Sequence, residues 1–137
     1  MTCPPAVGAA GKGWGRMIAI DGSRGEGGGQ ILRTALSLSC LFRKPFRMFN
    51  VRKGRPKPGL MPQHLAAVEA ARRVSGAQVS GDRPGSAELV FSPGAVAGGE
   101  IALDIGTAGS TVLVLQTIVP ALLFLSGGSE VVLSGGT

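Results

Sequence analysis

Several residue types are scarce in this chain of 137 residues, which has no tyrosine, one tryptophan and one histidine. Its two cysteines, Cys3 and Cys40, are too few for a disulfide framework or a cysteine-rich metal site, so we expect a reducing, cytoplasmic environment. The most apolar stretch, residues 112–125, is shorter than the roughly 20 residues that a membrane-spanning helix needs. We therefore predict a buried helix there and no membrane partner.

Basic residues are absent after residue 83. Residues 1–83 hold all 14 Lys and Arg with four acidic residues, a net charge of +10, whereas residues 84–137 hold four acidic residues, a net charge of −4. Seven of the basic residues fall between Arg43 and Lys57. A local basic cluster indicates a phosphate-rich partner such as nucleic acid or a nucleotide, and a solvated basic loop is the alternative.

Glycine is abundant, with 23 residues, but it has no three-residue period, which excludes a collagen-like chain. Residues 1–16 lack a signal-peptide core and are predicted to be a disordered extension, with Met17 as an alternative start. The following pattern predicts a strand at 17–20, a helix at 30–42, a strand at 46–52, a helix at 62–75, and strands at 77–80 and 87–91. Pro62 suits the first position of the second helix, and Gly76 suits its C-terminal cap.

The pattern then restarts, because residues 101–104 (IALD) resemble residues 18–21 (IAID). Gly109 and Ser110 precede a helix as Gly29 and Gln30 do, and residues 130–133 form the next predicted strand. We interpret the chain as an α+β fold of repeated β-α-β-α-β-β units, with a first repeat at 17–97 and a truncated second repeat at 98–137. Helical crossovers between parallel strands are expected, and the truncation predicts a fragment of a longer protein.

The glycine-rich segment 21–30 (DGSRGEGGGQ) lies between a predicted strand and a predicted helix. Backbone N–H groups and the helix dipole at such a position bind anions, although a tight turn selected for its geometry is equally compatible. The segment matches neither a Walker A loop nor a dinucleotide fingerprint. Glu26 would repel phosphate unless Mg²⁺ or Mn²⁺ lay between them; alternatively, its carboxylate interacts favourably with the helix dipole.

Arginines follow both of the first two predicted strands. Arg33 shares a helical stripe with Gln30 and could bind an anion held by the glycine loop. Arg52 and Arg55 follow the second strand, and the carboxyl ends of parallel strands meet at one edge of a sheet. These residues predict a phosphate clamp, with solvated arginines as the alternative.

His64, beside Gln63, is the only histidine. It could be a base, a nucleophile or a phosphate hydrogen-bonder, while a structural role is common for a histidine near a helix start. Gln116 and Thr117 interrupt an apolar helix, and we expect their polar groups to be satisfied within the protein.

Four segments together resemble the N-terminal part of RNA 3′-terminal phosphate cyclases: DGSRGEGGGQILRTALSLS, VRKGRPKPGLMPQHL, GTAGSTVLVLQTIVPALLF and SGGT. The resemblance implies repeated units of two helices on a four-stranded sheet, an architecture that enolpyruvyl transferases share. It also implies an ATP-dependent reaction in which a histidine becomes adenylated, AMP passes to an RNA 3′-phosphate, and the adjacent 2′-hydroxyl displaces AMP to leave a 2′,3′-cyclic phosphodiester.

The resemblance further implies roles for individual residues. Glu26 would help hold Mg²⁺ or Mn²⁺, and phosphates of ATP or of the RNA end would be contacted by Arg33, Arg52 and Arg55 with support from His64. Nucleotide-binding glutamines would be Gln30, Gln63 and Gln116. The adenylated histidine would lie beyond residue 137, so this chain alone is expected to lack cyclase activity.

Two alternatives stay open beside the cyclase interpretation. One is a catalytically silent cyclase-like protein of ribosome assembly, although the intact GEGGGQILR and RKGRPKPGL segments argue against it. The other is an enolpyruvyl transferase-like enzyme acting on small anionic substrates. The sequence leaves open whether the protein forms a homodimer.

Overall fold

The computed structural model describes residues 17–107 and 109–136; the predicted N-terminal extension, residues 1–16, lies outside this range. The described residues form six strands and three helices in chain order. These are β1 (Ile18–Asp21), α1 (Gly29–Phe42), β2 (Phe46–Phe49), α2 (Pro62–Ser75), β3 (Gln78–Ser80), β4 (Leu89–Ser92), β5 (Gly99–Asp104), α3 (Thr111–Leu123) and β6 (Ser129–Ser134). The mixed α+β composition that the sequence predicts is confirmed.

The strands form two sheets. The first has the order β1-β2-β4-β3, in which β1 and β2 are parallel and the other neighbours are antiparallel. The second pairs β5 with β6 in parallel, from Gly99 opposite Ser129 to Asp104 opposite Ser134. In each parallel pair, β1 with β2 and β5 with β6, one helix connects the two strands. The loops that follow the two strands of a pair therefore lie at the same edge of their sheet, as expected.

Local signals explain where several elements end. Pro62 is at the start of α2, and Gly76, with φ of 63°, caps its other end in the left-handed conformation. The strand predicted at 46–52 is too long, because β2 ends at Phe49. Asn50 and Arg52 both adopt positive φ, of 56° and 51°, which turns the chain away from the sheet.

One hydrophobic core joins the two sheets through the helices. It contains Leu36 of α1, Val68 of α2, Phe91 of β4, Leu103 of β5 and Ile118 of α3. α3 packs against both α1 and α2. The second strand pair is thereby anchored to the first sheet by helix packing rather than by strand pairing.

The buried helix predicted at 112–125 is confirmed as a helix, α3, but only one side of it is buried. Val112 and Leu123 are 61% and 73% exposed, whereas Val114 and Ile118 are buried. The Thr117 hydroxyl donates to the backbone oxygen of Leu113 at 3.0 Å, which satisfies it within the helix as expected. Within the described part of the chain, no helix is both long and apolar enough to cross a membrane.

Candidate functional site

The loops that follow β1 and β2 meet at one end of the first sheet. The Asp21 carboxylate, at the end of β1, accepts hydrogen bonds from the backbone and the hydroxyl of Ser23. It also accepts a bond of 3.4 Å from the Asn50 amide, which follows β2. The Gly22 amide donates to the backbone oxygen of Phe49 at 2.7 Å. These contacts hold the glycine-rich loop against the basic loop.

Arg55 crosses from the basic loop to the glycine-rich loop. Its guanidinium donates to the backbone oxygens of Glu26 at 3.0 Å and of Gly27 at 3.4 Å. A side chain at Gly28 would approach Arg55, since a Cβ there would lie 2.6 Å from the terminal nitrogen. A side chain larger than that of glycine would require the Arg55 guanidinium to move away from the backbone.

Arg52 organises its own loop. Its terminal nitrogen donates to the backbone oxygens of Lys57 at 2.5 Å and of Gly59 at 2.8 Å. Part of its hydrogen-bonding capacity is therefore structural, a role that the sequence analysis did not foresee. Its positive charge nevertheless remains beside His64.

Arg33 projects from the first turns of α1 and donates to the Gln30 amide oxygen at 3.1 Å. Its Nε is buried and has no hydrogen-bond partner among the described residues. Burial lowers the pKa of Arg33. A buried guanidinium nitrogen without an acceptor is costly, and the guanidinium of Arg33 is a candidate to bind an anion.

His64 is 3% exposed and sits in the first turn of α2. Its Nδ1 accepts a hydrogen bond from the backbone N–H of Met61 at 3.0 Å. Burial, followed by the charges of Arg52 and Arg33, lowers the pKa of His64 to about 4. The ring is therefore neutral at pH 7, and because Nδ1 is an acceptor its proton lies on Nε2.

The His64 Nε2 lies close to the start of α1, since a Cβ on Gly29 would be 2.6 Å from it and 2.9 Å from the terminal nitrogen of Arg33. Gly29 thus lets a histidine and an arginine from two helices approach the same backbone. The result is a cluster of hydrogen-bond donors at the N-terminus of α1.

These groups line a cleft of about 410 Å³. Its walls are formed by Gly28, Gly29, Arg33, Arg52, Arg55, Gln63, His64, Gly109, Ser110 and Leu113. The N-terminal ends of all three described helices contribute, and no acidic side chain among the described residues lines the cleft. Three helix dipoles and three arginines without a lining carboxylate favour a polyanionic ligand with phosphate-like oxygens.

Other predicted site residues lie outside this cleft. Glu26 and Gln30 line a mainly apolar groove of about 610 Å³ on α1. Gln116 faces Gln30 and Arg33 across a pocket of about 130 Å³ between α3 and α1. Arg33 lines both this pocket and the cleft, so Gln116 lies next to the cleft. The structure therefore brings together Arg33, Arg52, Arg55, Gln63 and His64, with Glu26, Gln30 and Gln116 at the periphery.

No group of three or more His, Cys, Asp or Glu side chains in the described ranges could hold a metal ion. Glu26 is exposed within the glycine-rich loop and offers a single carboxylate. This donor set suits Mg²⁺ or Mn²⁺ only when phosphate oxygens supply further ligands, which is the usual arrangement for Mg²⁺ in nucleotide sites.

The basic cluster of the sequence does not form one surface patch. Arg47 is 2% exposed and forms an ion pair with Glu88 at 3.1 Å. Arg43 caps the C-terminal end of α1, about 20 Å along the helix from the cleft. Strand β2 separates residues that are close in sequence, so only part of the cluster faces the cleft.

The start of α3 is the part of the cleft that sequence reasoning missed. Gly109 and Ser110 were identified only as preceding a helix, and no role was predicted for them. The available signal was local: glycine followed by serine before an apolar helix is typical of an N-terminal cap. The proximity of Gly109 and Ser110 to His64 could not be predicted from that signal.

Comparison with known proteins gives a consistent result. The family model for RNA 3′-terminal phosphate cyclase matches residues 24–137. Curated relatives described as RNA 3′-terminal phosphate cyclase, from Salmonella enteritidis PT4, Salmonella gallinarum and Salmonella typhimurium LT2, are each 58% identical over 122 residues. The match covers 89% of this chain and 36% of each relative, corresponding to an N-terminal portion. The chain therefore belongs to the RNA 3′-terminal phosphate cyclase family.

Proposed function

We propose that this chain is the N-terminal portion of an ATP-dependent enzyme that converts an RNA 3′-terminal phosphate into a 2′,3′-cyclic phosphodiester. The observation that carries the proposal is the donor-rich cleft shared by Arg33, Arg55 and His64. Its ligands would be the phosphates of ATP or of the RNA end. The repeated β-α-β-α-β-β architecture related to enolpyruvyl transferases and the cytoplasmic location belong to the same proposal, which leaves open whether the protein forms a homodimer.

The reaction would proceed through enzyme–AMP and RNA-adenylate intermediates. A histidine outside this chain would attack the α-phosphorus of ATP and release pyrophosphate. The RNA 3′-phosphate would then take AMP from the histidine, and the neighbouring 2′-oxygen would attack the phosphorus of the RNA 3′-phosphate, lose its proton and release AMP. Proximity of the 2′-hydroxyl and a good leaving group together lower the barrier of this last step.

The cleft residues would stabilise charge during these steps. Arg33 and Arg55 would bind phosphate oxygens, and the neutral His64 would donate from Nε2. Because its Nδ1 already accepts a backbone hydrogen bond and its pKa is about 4, His64 is suited to donating rather than to nucleophilic attack. Gln30, Gln63 and Gln116 would contact the nucleotide, and Glu26 would hold Mg²⁺ or Mn²⁺, which screens the charges of the phosphates.

The first test uses the 137-residue chain with inorganic pyrophosphate. Titration calorimetry should detect binding, and the thermal midpoint should rise with ligand concentration because the ligand binds the folded state. Arg33→Ala should weaken binding by about 10- to 100-fold, since hydrogen bonds to charged groups contribute about 1.5–3 kcal/mol. Lys44→Ala, which removes the same charge at the far end of α1, should bind as wild type does.

The second test addresses the reaction itself. Residues of this chain would replace the matching portion of the Salmonella typhimurium cyclase, and the chimera would be assayed with ATP and RNA bearing a 3′-phosphate. Label from α-³²P-ATP but not from γ-³²P-ATP should become covalently attached, and cyclic ends should form. Arg52→Ala and Arg55→Ala should reduce cyclisation in folded protein. A folded chimera without nucleotide transfer, or full activity in both variants, would contradict the proposed roles.

A further inference from the structure

Ser110 is the N-cap of α3 and lines the same cleft as Arg33 and His64. Its hydroxyl oxygen accepts hydrogen bonds from the backbone N–H groups of Val112 at 3.1 Å and of Leu113 at 3.4 Å. The backbone of Ser110 is extended, with φ of −118° and ψ of 128°, as is usual for an N-cap. The helix thus uses the oxygen of this hydroxyl but not its proton.

A serine hydroxyl has two acceptor lone pairs and one proton to donate. At Ser110 both lone pairs are directed to the first turn of α3. No acceptor for the proton is found in ranges 17–107 and 109–136. The arginines and the His64 Nε2–H that share the cleft with it are donors and cannot accept this proton. Ser110 is half-buried, so this proton is available to an acceptor that enters the cleft, such as an anion.

The position of Ser110 is fixed by a close contact between α3 and α2. Gly109 adopts φ of 72°, and a Cβ on it would lie 2.6 Å from the Cβ of Gln63. The chain before α3 therefore lies directly against the first turn of α2. This contact places Ser110 at the wall of the cleft that Gln63 and His64 also line.

We propose that Ser110 is a phosphoanion-binding residue whose hydroxyl caps α3 through its oxygen and donates its proton to a phosphate oxygen in the cleft. The inference rests on the proposed function, because it requires a phosphoanion at this site. It adds to the site a residue from the β5-α3-β6 part of the chain, whereas Arg33, Arg52, Arg55 and His64 come from the part that precedes it. The ligand would thus bridge the two parts.

The test compares pyrophosphate binding by the 137-residue chain and its Ser110 variants. Ser110→Gly removes the hydroxyl without adding charge, and glycine is nearly as good an N-cap as serine. Its thermal midpoint should stay near that of wild type while its affinity falls about tenfold, the loss of one hydrogen bond to a charged acceptor. Ser110→Thr, which retains both functions of the hydroxyl, should restore binding.

Ser110→Asp provides a second, independent variant. Aspartate is an effective N-cap, but at neutral pH it has no proton to donate, so it should preserve the fold and bind pyrophosphate more weakly than Ser110→Gly. Wild-type affinity in folded Ser110→Gly would overturn the role of Ser110 and leave the arginine cleft intact. Absence of pyrophosphate binding by the wild-type chain would instead reject the proposed function together with this inference.

Discussion

His64 shows how one backbone hydrogen bond decides what a side chain can do. The Met61 N–H occupies Nδ1, and burial near Arg52 and Arg33 opposes protonation. The ring therefore keeps one tautomer over the physiological pH range, with Nε2–H toward the start of α1. From its residue type and position alone, His64 could have been a base, a nucleophile, a phosphate hydrogen-bonder or a structural residue, because the choice depends on neighbours that are distant in sequence.

The depressed pKa of His64 predicts a specific pH dependence of stability. The unfolded chain takes up the proton near pH 6.5 and the folded chain only near pH 4, so stability is fully present above about pH 6.5 and declines as the pH falls toward 4. The loss should reach at most about 3.5 kcal/mol, from about 1.4 kcal/mol per pKa unit. Urea unfolding between pH 4 and 7.5 measures it.

Two controls isolate the contribution of His64 from that of the carboxylates. Because the chain has a single histidine, its ring proton signals in NMR report the folded-state pKa without ambiguity. His64→Gln retains a side chain that can accept the Met61 N–H at the same helical position, as in a capping box. A midpoint near 6.5 in the folded wild type, or an identical pH profile in His64→Gln, would contradict the prediction.

Among the elements, α1 shows which features are set by neighbouring residues and which are set by residues of another helix. Its start at a glycine and its end before Pro45 follow from local sequence signals, and the structure agrees to within one residue of the predicted start. The need for glycine at its first position has a different origin. It arises from His64 and Arg33, whose nitrogens approach the position from two helices.

Gly29→Ala should therefore separate helix stability from ligand binding. Alanine favours a helix over glycine by up to about 1 kcal/mol, so helicity should not decrease. The added Cβ would nevertheless lie 2.6 Å from the His64 Nε2, and pyrophosphate affinity should fall by at least about tenfold through loss of one charge-assisted contact. Calorimetry with circular dichroism measures both quantities.

The matched control is Gly54→Ala in the basic loop. A Cβ there would meet no heavy atom within 4 Å, and its backbone is not in the left-handed region. This variant should bind pyrophosphate as wild type does. Equal affinity in Gly29→Ala would show that the close approach at the start of α1 does not shape the cleft.

At the scale of the whole molecule, the two sheets are held together by a common core. Ile118 of α3 is fully buried within it, whereas Val112 on the same helix is 61% exposed. A two-stranded sheet is marginally stable alone, so β5 and β6 depend on the packing of α3 against α1 and α2. The two sheets should consequently unfold in one transition.

Ile118→Ala should lower the free energy of unfolding by about 2–5 kcal/mol, because it leaves a cavity in the shared core. Urea titration followed by NMR should show amide signals of β2 and of β6 disappearing together. Val112→Ala should change stability by no more than about 0.5 kcal/mol, as exposed substitutions usually do. Loss of the β6 signals at a lower urea concentration than those of β2 would contradict a single cooperative unit.

The sequence by itself determined the local features of this protein: the glycine-rich loop after β1, the limits of α2 between Pro62 and Gly76, and the positions of the arginines along the chain. These features depend on backbone conformations and side-chain periodicities within a few residues. The motif GEGGGQILR and its companions also sufficed to indicate the family.

The tertiary structure decided which of those residues act together. It buried Arg47 against Glu88, directed Arg52 partly to its own loop, and brought Ser110 to the cleft of His64. Such placements depend on strand register and on the packing of three helices, which act between residues tens of positions apart. A cleft built from three helix N-termini therefore depends on the packed core, although local sequence signals specify where each helix begins.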